Sequence, residues 1–462
     1  MRPCRCSGIL RTSRIRSPRT TRPLHPFLRA PWALAASAAR LAAAVAPASD
    51  HKLLRSLRAR RHALATVRAQ GARRDPSRPL VWLHAPSVGE GLQARPVLEA
   101  LRRAHPDWQL AYSWFSPSAD TFASRLDVDL RAVLPFDGGR EVNAILDAWQ
   151  PDVLAFVKLD VWPILAERAD ARDVQLALLS ATLAPTSGRQ GVLARALLGD
   201  AYAALDAIGA IADADASRLT ALGVPHDRIT VTGDTRMDQV WQRMSAVHAD
   251  HPVQRLRATA TPPTLVAGST WPADESVLFP AVRAWCAAHP DARCIVAPHE
   301  PTAAHLAPIE TWARDAGLPC TRLGAAEQQA TPSDGWRILL VDRIGVLGDL
   351  YALADVAFVG GGFHDAGLHS VLEPAAFGVP VLFGPRHRNA REAGELVQRG
   401  GALVVTSADD LRDTLTRLTT DVEARRTRGA AARALVQEGL GSTARSCALV
   451  ESLVARRRRS SR

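Results

Sequence analysis

From about residue 80, the sequence repeatedly alternates short apolar runs with amphipathic stretches. In the first half, the apolar runs that predict strands are 79–85, 108–114, 131–136, 152–157, 174–180 and 207–212. The Ala-, Leu- and Arg-rich segments between them, such as 93–104 and 189–205, have helical spacing. Repeated strand–helix units predict a parallel sheet covered by helices on both faces.

The alternation lapses around residues 236–262 and then restarts. The predicted strands of the second series are 264–269, 292–298, 337–342, 356–361, 380–385 and 401–405. Two series predict an α/β protein with two Rossmann-like βαβ domains facing a central cleft, where ligands would bind at the carboxyl ends of the strands. We expect an N-terminal domain over 51–240, a linker over 241–262 and a C-terminal domain over 263–445.

Positive charge is concentrated at the two ends of the chain. The formal net charge is +11, yet residues 1–74 alone hold 17 lysines and arginines against one acid, Asp50, and 456–462 add five arginines. A nucleic-acid-binding protein would usually carry its positive charge on the folded surface. We therefore expect no nucleic acid as a partner and an anionic membrane surface as the better match for the basic ends. A disordered Arg-rich leader is the alternative for residues 1–28.

Residues 30–48 are the candidate membrane segment. They are Ala-rich and about one span long, but Arg40 interrupts them and would cost roughly 2.5–3.5 kcal/mol at a bilayer centre. The sequence leaves both an interfacial helix or anchor and a transmembrane helix open. We assign 1–50 to a basic leader with a weak anchor, and 446–462 to a basic tail.

The six cysteines include no CxxC pair. This spacing indicates neither a disulfide framework nor a zinc site. We therefore expect a reducing, cytoplasmic compartment.

A single carboxylate, Glu90, lies between Gly89 and Gly91, where the strand ending at His84 passes into a helix. An acid on such a turn, at the carboxyl end of a strand, would face the predicted cleft. An acid in the first turn of a helix is also favoured by the helix dipole, which requires no function.

Two turns of the second domain follow strands directly. In 268–275, Ser269 and Thr270 offer hydroxyls beside the free amides of a helix start, which suits a phosphate, with an ordinary helix cap as the alternative. In 296–305, His299 lies just past the strand. The two turns together favour a phosphate or nucleotide site.

The stretch 354–385 is the most informative. Gly360, Gly361 and Gly362 end a strand and would let the backbone approach a ligand closely. Ser370 then precedes a helix that carries Glu373, so the amides could hold a phosphate while the acid accepts ribose hydroxyls. Because GxGxxG is absent from the first strand–helix turn, a nucleotide-sugar site is favoured over a dinucleotide site.

Together these motifs resemble the 3-deoxy-D-manno-octulosonic acid (Kdo) transferases, lipid A-specific GT-B glycosyltransferases, from about residue 51 to 440. The motifs, in the family's order, are "HAPSVGE", "VTGDTRMD", "AGSTWPADE", "APHEP", "VDRIGVLGDLYALADVAFVGGGF" and "GLHSVLEPAAFGVPVLFGP". The resemblance implies transfer of Kdo from CMP-Kdo to a lipid A precursor (lipid IVA) in lipopolysaccharide synthesis. It also implies inversion, no metal or other cofactor, and a place at the cytoplasmic face of the bacterial inner membrane.

The resemblance also implies roles for individual residues. Glu90 matches the general base, and Arg236 matches a basic residue that stabilises the leaving phosphate. The positions that match CMP contacts are Ser269, Thr270, Pro298, His299, Ile344, Gly345, Val346, Ser370, Val371, Leu372 and Glu373.

The segment "KLDVWPI" (158–164) departs from the family's Glu-x-Glu-x-Trp-Pro-Asn motif. Lys158 replaces the first acid, which is thought to help the transition state, Asp160 replaces the second, and Ile164 the Asn. If Lys158 pairs with a carboxylate such as Glu90 or Asp160, it would lower the pKa of Glu90. Two alternatives stay open: a GT-B transferase for another nucleotide sugar, and a catalytically silent member that binds CMP or lipid.

Overall fold

The structure is a computed structural model that describes residues 26–45, 47, 51–184, 187, 191–248, 250–257, 263–328 and 335–460. Most of the predicted basic leader, 1–25, and the end of the predicted linker, 258–262, lie outside the described residues. The chain forms two compact units. The first contains Met1–Val231 and Cys447–Arg462, and the second contains Thr232–Ser446. This division differs from the predicted boundaries, because 232–240 belong to the second unit and the C-terminal segment returns to the first.

The first unit is built on a parallel seven-stranded sheet with the strand order β3-β2-β1-β4-β5-β6-β7. The strands are β1 (Leu80–His84), β2 (Gln109–Trp114), β3 (Leu130–Val133), β4 (Val153–Val157), β5 (Gln175–Ala181), β6 (Ala207–Ala210) and β7 (Ile229–Val231). Alternate residues of β1 enter two different cores, Leu80 and Trp82 on one face, Val81 and Leu83 on the other. Both faces are therefore buried, as the unbroken apolar run predicts.

Ten helices cover this sheet or flank it in the described part of the chain. They are α1 (Pro26–Val45), α2 (Lys52–Arg60), α3 (Ala63–Gly71), α4 (Val88–Ala104), α5 (Asp120–Ser124), α6 (Gly139–Trp149), α7 (Pro163–Asp170), α8 (Val192–Ala203), α9 (Asp213–Ala221) and, after the second unit, α19 (Ser442–Ser460). The apolar face of α6 shows why they pack: Val142, Ile145 and Trp149 recur at helical spacing and are buried. Trp149 meets Trp82 of β1 edge to face, with ring centroids 5.0 Å apart.

The second unit repeats the architecture, with the strand order β10-β11-β9-β8-β12-β13-β14. Its strands are β8 (Thr264–Thr270), β9 (Arg293–Pro298), β10 (Cys320–Arg322), β11 (Ile338–Leu340), β12 (Val356–Val359), β13 (Val381–Phe383) and β14 (Ala402–Val404). Its helices are α10 (Arg236–Ala246), α11 (Pro272–Ala288), α12 (Ala303–Asp315), α13 (Leu323–Glu327), α14 (Leu347–Leu350), α15 (Leu372–Ala376), α16 (Arg391–Gln398), α17 (Ala408–Thr420) and α18 (Val422–Glu438).

The predicted α/β class is confirmed, since every strand in both sheets pairs in parallel. Each predicted strand has a counterpart, and two further strands of three residues, β7 and β10, were not predicted. The predicted membrane segment lies largely within α1. Over the described residues, no helix combines the length and the apolar character that a membrane crossing requires.

Candidate functional site

In the first unit, Glu90 and Lys158 come together because they follow neighbouring strands. Glu90 lies in the first turn of α4, just after β1, and Lys158 directly follows β4, which pairs with β1. The Nζ atom of Lys158 is 3.1 Å from Oε1 of Glu90. Pairing of Lys158 with Glu90, one of the two possibilities from the sequence, is confirmed.

The Glu90 carboxylate is held by two donors. Its Oε2 accepts a short hydrogen bond from the Ser87 hydroxyl at the helix N-cap, and its Oε1 faces Lys158. Burial alone would raise the pKa of Glu90, but the Ser87 hydrogen bond and the Lys158 charge outweigh it, so the pKa is lowered. Glu90 is therefore ionised at neutral pH and able to accept a proton, although it is a weaker base than an unpaired glutamate.

The two glycines beside Glu90 differ in how closely other atoms pack against them. A Cβ at Gly91 would lie 2.5 Å from the Phe122 ring and 2.9 Å from the Tyr112 hydroxyl, whereas a Cβ at Gly89 would meet nothing closer than 3.8 Å. Gly91 is therefore required by close packing. The Tyr112 hydroxyl is buried and has no hydrogen-bond partner among the described residues, and burial, with the charge of Glu90, raises the pKa of Tyr112.

Asp160 belongs to a separate cluster. Its Oδ2 lies 3.5 Å from Nε2 of His84 and accepts a hydrogen bond of 3.0 Å from the indole of Trp162. Nearby, the loop after β2 is tied to the Glu90 turn, because the backbone amides of Phe115 and Ser116 both donate to the Pro86 carbonyl. The loop and the turn therefore form one connected surface at the carboxyl ends of β1, β2 and β4.

In the second unit, the predicted nucleotide-site segments follow four adjacent strands. The strand order places β11, β9, β8 and β12 side by side. Thr270 is the last residue of β8, and the segments that follow the other three strands carry Ile344 to Val346, His299 and Ser370 to Glu373. Because the carboxyl ends of parallel strands share one edge, the sheet brings these predicted residues to a common edge.

The turns after β8 and β9 are joined at their backbones. The pairing shifts register between Gly268 and Thr270, so that Thr270 pairs with Pro298, and the His299 amide donates to the Thr270 carbonyl at 2.9 Å. Ser269 takes a left-handed conformation with φ of 55°. The Thr270 hydroxyl is buried and donates to Glu275 at 2.8 Å, so in this structure it serves the protein instead of an open anion site.

An aromatic cluster at this edge was not predicted from the sequence. The Trp271 indole stacks on His299 and His364, with ring centroids 4.5 and 4.3 Å apart, and its Nε1 donates to Nε2 of His369 at 2.9 Å. Burial lowers the pKa of His299, and it lowers the pKa of His369 to about 4, assisted by His299 and His364. The imidazoles of His299 and His369 are therefore neutral at physiological pH. Trp271 directly after two hydroxyl residues was the available signal.

The triple glycine is organised by a buried carboxylate. Asp274 accepts hydrogen bonds from the amides of Gly361 and Phe363, at 2.7 and 3.0 Å, and caps its own helix through the Trp271 amide. A Cβ at Gly360 would lie 2.2 Å from the Ser269 carbonyl oxygen. The glycines are thus needed for backbone-on-backbone packing within the unit.

In the Ser370 to Glu373 segment, the two end residues are polar and the two middle side chains are buried. The Ser370 hydroxyl donates to Glu373 at 2.5 Å. The side chains of Val371 and Leu372 lie in the core, so these two predicted residues can offer a ligand only their backbone. Glu373 lies close enough to the buried Tyr351 that its charge, after burial, contributes to raising the pKa of that tyrosine.

The Ile344 to Val346 loop is fixed from the side of α10. Arg243 of that helix donates to the Gly345 carbonyl at 2.7 Å and pairs with Asp349 at 2.7 Å. Gly345 has φ of 93°, a conformation that glycine adopts readily. The Ile344 side chain is exposed, so it is available to a ligand.

Arg236, at the start of α10, is held by two carboxylates. It lies 2.6 Å from Asp234 and 3.0 Å from Glu392. Burial would lower the pKa of Arg236, but the two carboxylates outweigh it and raise the pKa, so the guanidinium is always charged. Glu392 was not predicted, because it lies far along the sequence. Within the described residues, no group of three or more His, Cys, Asp or Glu side chains is arranged to hold a metal ion.

Comparison with known proteins gives this geometry its context. The family model "3-Deoxy-D-manno-octulosonic-acid transferase (kdotransferase)" matches residues 54–239. A 3-deoxy-D-manno-octulosonic acid transferase from Bordetella pertussis is 30% identical, over 80% of this chain and 86% of the relative. One from Haemophilus influenzae is 24% identical, over 81% of this chain and 87% of the relative.

Solved structures show the same fold. A putative UDP-N-acetylglucosamine 2-epimerase from Listeria monocytogenes matches with a TM-score of 0.55 and 14% identity, over 77% of this chain and 92% of that chain. A glycosyltransferase from Rickettsia africae matches with a TM-score of 0.55 and 11% identity, over 82% and 99%. The predicted GT-B fold class is thereby confirmed. From the matches in sequence, the chain belongs to the 3-deoxy-D-manno-octulosonic acid transferase family.

Proposed function

We propose that this protein transfers Kdo from CMP-Kdo to a lipid A precursor with inversion at the anomeric carbon. Family membership supports the transferred sugar. The observation that carries the mechanism is the Glu90 carboxylate, ionised and fixed by Ser87 and Lys158 at the carboxyl end of β1. It is the kind of base that direct displacement requires.

In the proposed step, an acceptor hydroxyl attacks the anomeric carbon of Kdo while its proton passes to Glu90. The bond between that carbon and the CMP phosphate oxygen breaks, and the electron pair leaves with CMP. Attack from the face opposite the leaving group inverts the anomeric carbon. Each oxygen of Glu90 receives one donor and retains a second lone pair for the acceptor proton.

The donor side of the reaction is proposed to lie at the β11-β9-β8-β12 edge of the second unit. The hydroxyl of Ser370 and the carboxylate of Glu373 offer a donor and an acceptor to a nucleotide. Arg236 supplies a permanent positive charge for the leaving phosphate. Because Asp234 and Glu392 already neutralise part of that charge, we expect Arg236 to orient the phosphate more than to attract it over a distance.

We also propose that the protein works at the cytoplasmic face of the inner membrane. The α1 side chains Leu34, Leu41 and Val45 are 71%, 70% and 80% exposed and recur at helical spacing, which suits a helix lying on a lipid surface. Flotation with vesicles of anionic lipid should carry the full-length protein upward, and Leu34→Ser/Leu41→Ser should reduce the floated fraction. Equal flotation of the two proteins would reject this role for α1.

The donor separates this proposal from a GT-B transferase of other specificity. Titration calorimetry with CMP and with UDP tests the difference on the intact protein. We expect measurable CMP binding and much weaker UDP binding. Preference for UDP would reject CMP-Kdo as the donor.

The contact between Lys158 and Glu90 favours a second candidate, a catalytically silent member that binds CMP or lipid, because an ammonium group weakens a neighbouring base. Incubation with CMP-Kdo and a tetraacylated lipid A precursor decides between the two. The proposed activity requires release of CMP in step with glycosylated lipid. CMP binding without CMP release would establish the silent alternative.

A further inference from the structure

The Lys158–Glu90 pair is placed so that one partner can leave at little cost. The Lys158 side chain is 48% exposed and Glu90 is 16% exposed. An ion pair with this much solvent access is weak, because water screens the two charges. The backbone of Lys158, in contrast, is fixed, since its amide donates to the Leu179 carbonyl at 2.8 Å in the sheet. The ammonium group can therefore swing on its four-carbon stem while its origin stays in place.

Lys158 also has unused binding capacity beside the base. An ammonium group has three donors, and the Glu90 carboxylate takes one of them. The backbone at Lys158 has φ of 69°, a left-handed conformation that is unfavourable for a non-glycine residue. Strained backbone of this kind is concentrated at functional sites. Here it fixes the starting point of a half-exposed cation next to the proton acceptor.

The resting pair conflicts with the proposed chemistry. When Glu90 takes the acceptor proton it becomes neutral, and Lys158 loses its counter-charge. The ammonium therefore opposes the very protonation that the reaction needs. An anion that draws Lys158 away would remove this opposition, and a phosphate, with up to two negative charges, competes well against a single carboxylate.

We propose that Lys158 is a docking point for an anionic oxygen group of a substrate, a carboxylate or a phosphate, and that docking frees Glu90 to act as the base. The proposal rests on Glu90 being the base, as proposed above. It makes Lys158 a positioning and specificity residue: substrates with a correctly placed anion activate the base, and neutral ones leave it paired. The shared chemistry has two possible sources, the carboxylate of Kdo and a phosphate on the acceptor.

Of the described groups around Glu90, Lys158 is the charged partner that can move away from the carboxylate. From the N-cap of α4, Ser87 donates a hydroxyl that carries no charge. From β2, Tyr112 is buried, and its raised pKa keeps it neutral. Asp160, two residues beyond Lys158, contacts His84 and Trp162. A change in the pKa of Glu90 on anion binding would therefore report on Lys158.

The chain offers a direct spectroscopic test, because Lys52 and Lys158 are its two lysines. Full-length protein carrying ¹³C at lysine Cε and glutamate Cδ would be titrated with inorganic phosphate and, separately, with free Kdo. Lys158→Met assigns the lysine signal, and Glu90→Gln assigns the carboxyl signal. We expect one of the two anions to shift the Lys158 signal and to raise the pKa of Glu90. The anion that does so identifies the source, phosphate for the acceptor and Kdo for the donor.

Variants separate this role from a structural one. In Lys158→Met, the pKa of Glu90 without added anion should be higher than in the wild type and should no longer respond to the anion. Lys158→Arg should restore both the low pKa and the response. Arg95→Met is the matched control. It removes a cation from α4, the helix that carries Glu90, but this cation pairs with Glu99 at 2.7 Å, so the pKa of Glu90 should not change.

If neither anion raises the pKa of Glu90, or if Lys158→Met still shows the rise, the proposal is overturned. These readouts need no turnover, so they are independent of the transferase assay. A protein that releases no CMP from CMP-Kdo would defeat the proposed function while the titration still reports on Lys158. Active protein with an unresponsive Glu90 would defeat only the docking role.

Discussion

The hydrogen bond between Trp271 and His369 determines which ring nitrogen of His369 carries the proton. An indole N–H can only donate, so Nε2 of His369 is the acceptor at 2.9 Å and the proton of the neutral ring is on Nδ1. Burial, then the neighbouring His299 and His364, lowers the pKa of His369 to about 4. His369 therefore stays neutral and presents an N–H donor at the carboxyl edge of the second sheet.

Replacing Trp271 by Phe should keep a stacking ring but remove this donor. Because the donor stabilises the neutral imidazole, the pKa of His369 should rise in the Trp271→Phe variant. ¹⁵N NMR of the imidazole measures both tautomer and pKa. A wild-type spectrum with the proton on Nε2 would contradict the assigned hydrogen bond.

The pKa of His369 also predicts a direction for stability. The folded value, about 4, lies below the ordinary value of 6.5, so between these pH values the unfolded chain binds more protons. The contribution of His369 is fully present above pH 6.5 and is lost as pH falls toward 4.

At the scale of elements, Asp274 connects the start of α11 to the glycine turn after β12. Removing its carboxylate would leave the amides of Gly361 and Phe363 without their acceptor. Since unpaired buried donors cost about 1–3 kcal/mol each, Asp274→Ala should lower the free energy of unfolding by roughly 3 kcal/mol.

Chemical denaturation of the intact protein measures this loss. The control is Asp409→Ala, which removes an exposed acid from the first turn of α17 and should change stability by less than about 0.5 kcal/mol. Equal effects of the two substitutions would show that Asp274 does not organise the turn.

Sequence patterns predicted the elements well where the local signal is strong. The long buried strands β1, β4 and β5 follow from unbroken apolar runs. Strands β7 and β10 have three residues each with exposed positions, too few to show a pattern. A contact between Lys158 and Glu90 could be anticipated because both residues follow strands. That Lys158 pairs with Glu90 instead of Asp160 depends on the pairing of β1 with β4, which the sequence does not show.

At the scale of the whole chain, the C-terminal segment completes the first unit. The arginines at 456–459 suggested a basic tail, yet α19 buries Val450, Leu453 and Val454 in the core formed with α4 and β2. No local pattern in the sequence reveals which core a terminal helix joins, since the contact spans more than 300 residues. The Trp271 cluster was missed for a similar reason, as its histidines come from separate turns.

The Leu453→Ala variant tests whether α19 packs in the core of the first unit. Truncating a fully buried leucine costs about 2–5 kcal/mol, and the loss should fall on the first unit. Hydrogen exchange should show faster exchange in β1 and β2, with β8 and β9 unchanged. Exposed Ser452→Ala serves as the control. Faster exchange confined to the second unit would contradict the assignment of α19.

The mass of the lipid product shows whether Glu90 is the base of a Kdo transfer. Wild-type protein and Glu90→Gln would be incubated with CMP-Kdo and a tetraacylated lipid A precursor. Calorimetry with CMP would verify that the variant still binds nucleotide. We expect lipid carrying added Kdo from the wild type and none from Glu90→Gln, with similar CMP affinity. Equal product from both proteins would remove Glu90 from the mechanism, and lipid of unchanged mass from the wild type would contradict the proposed transfer itself.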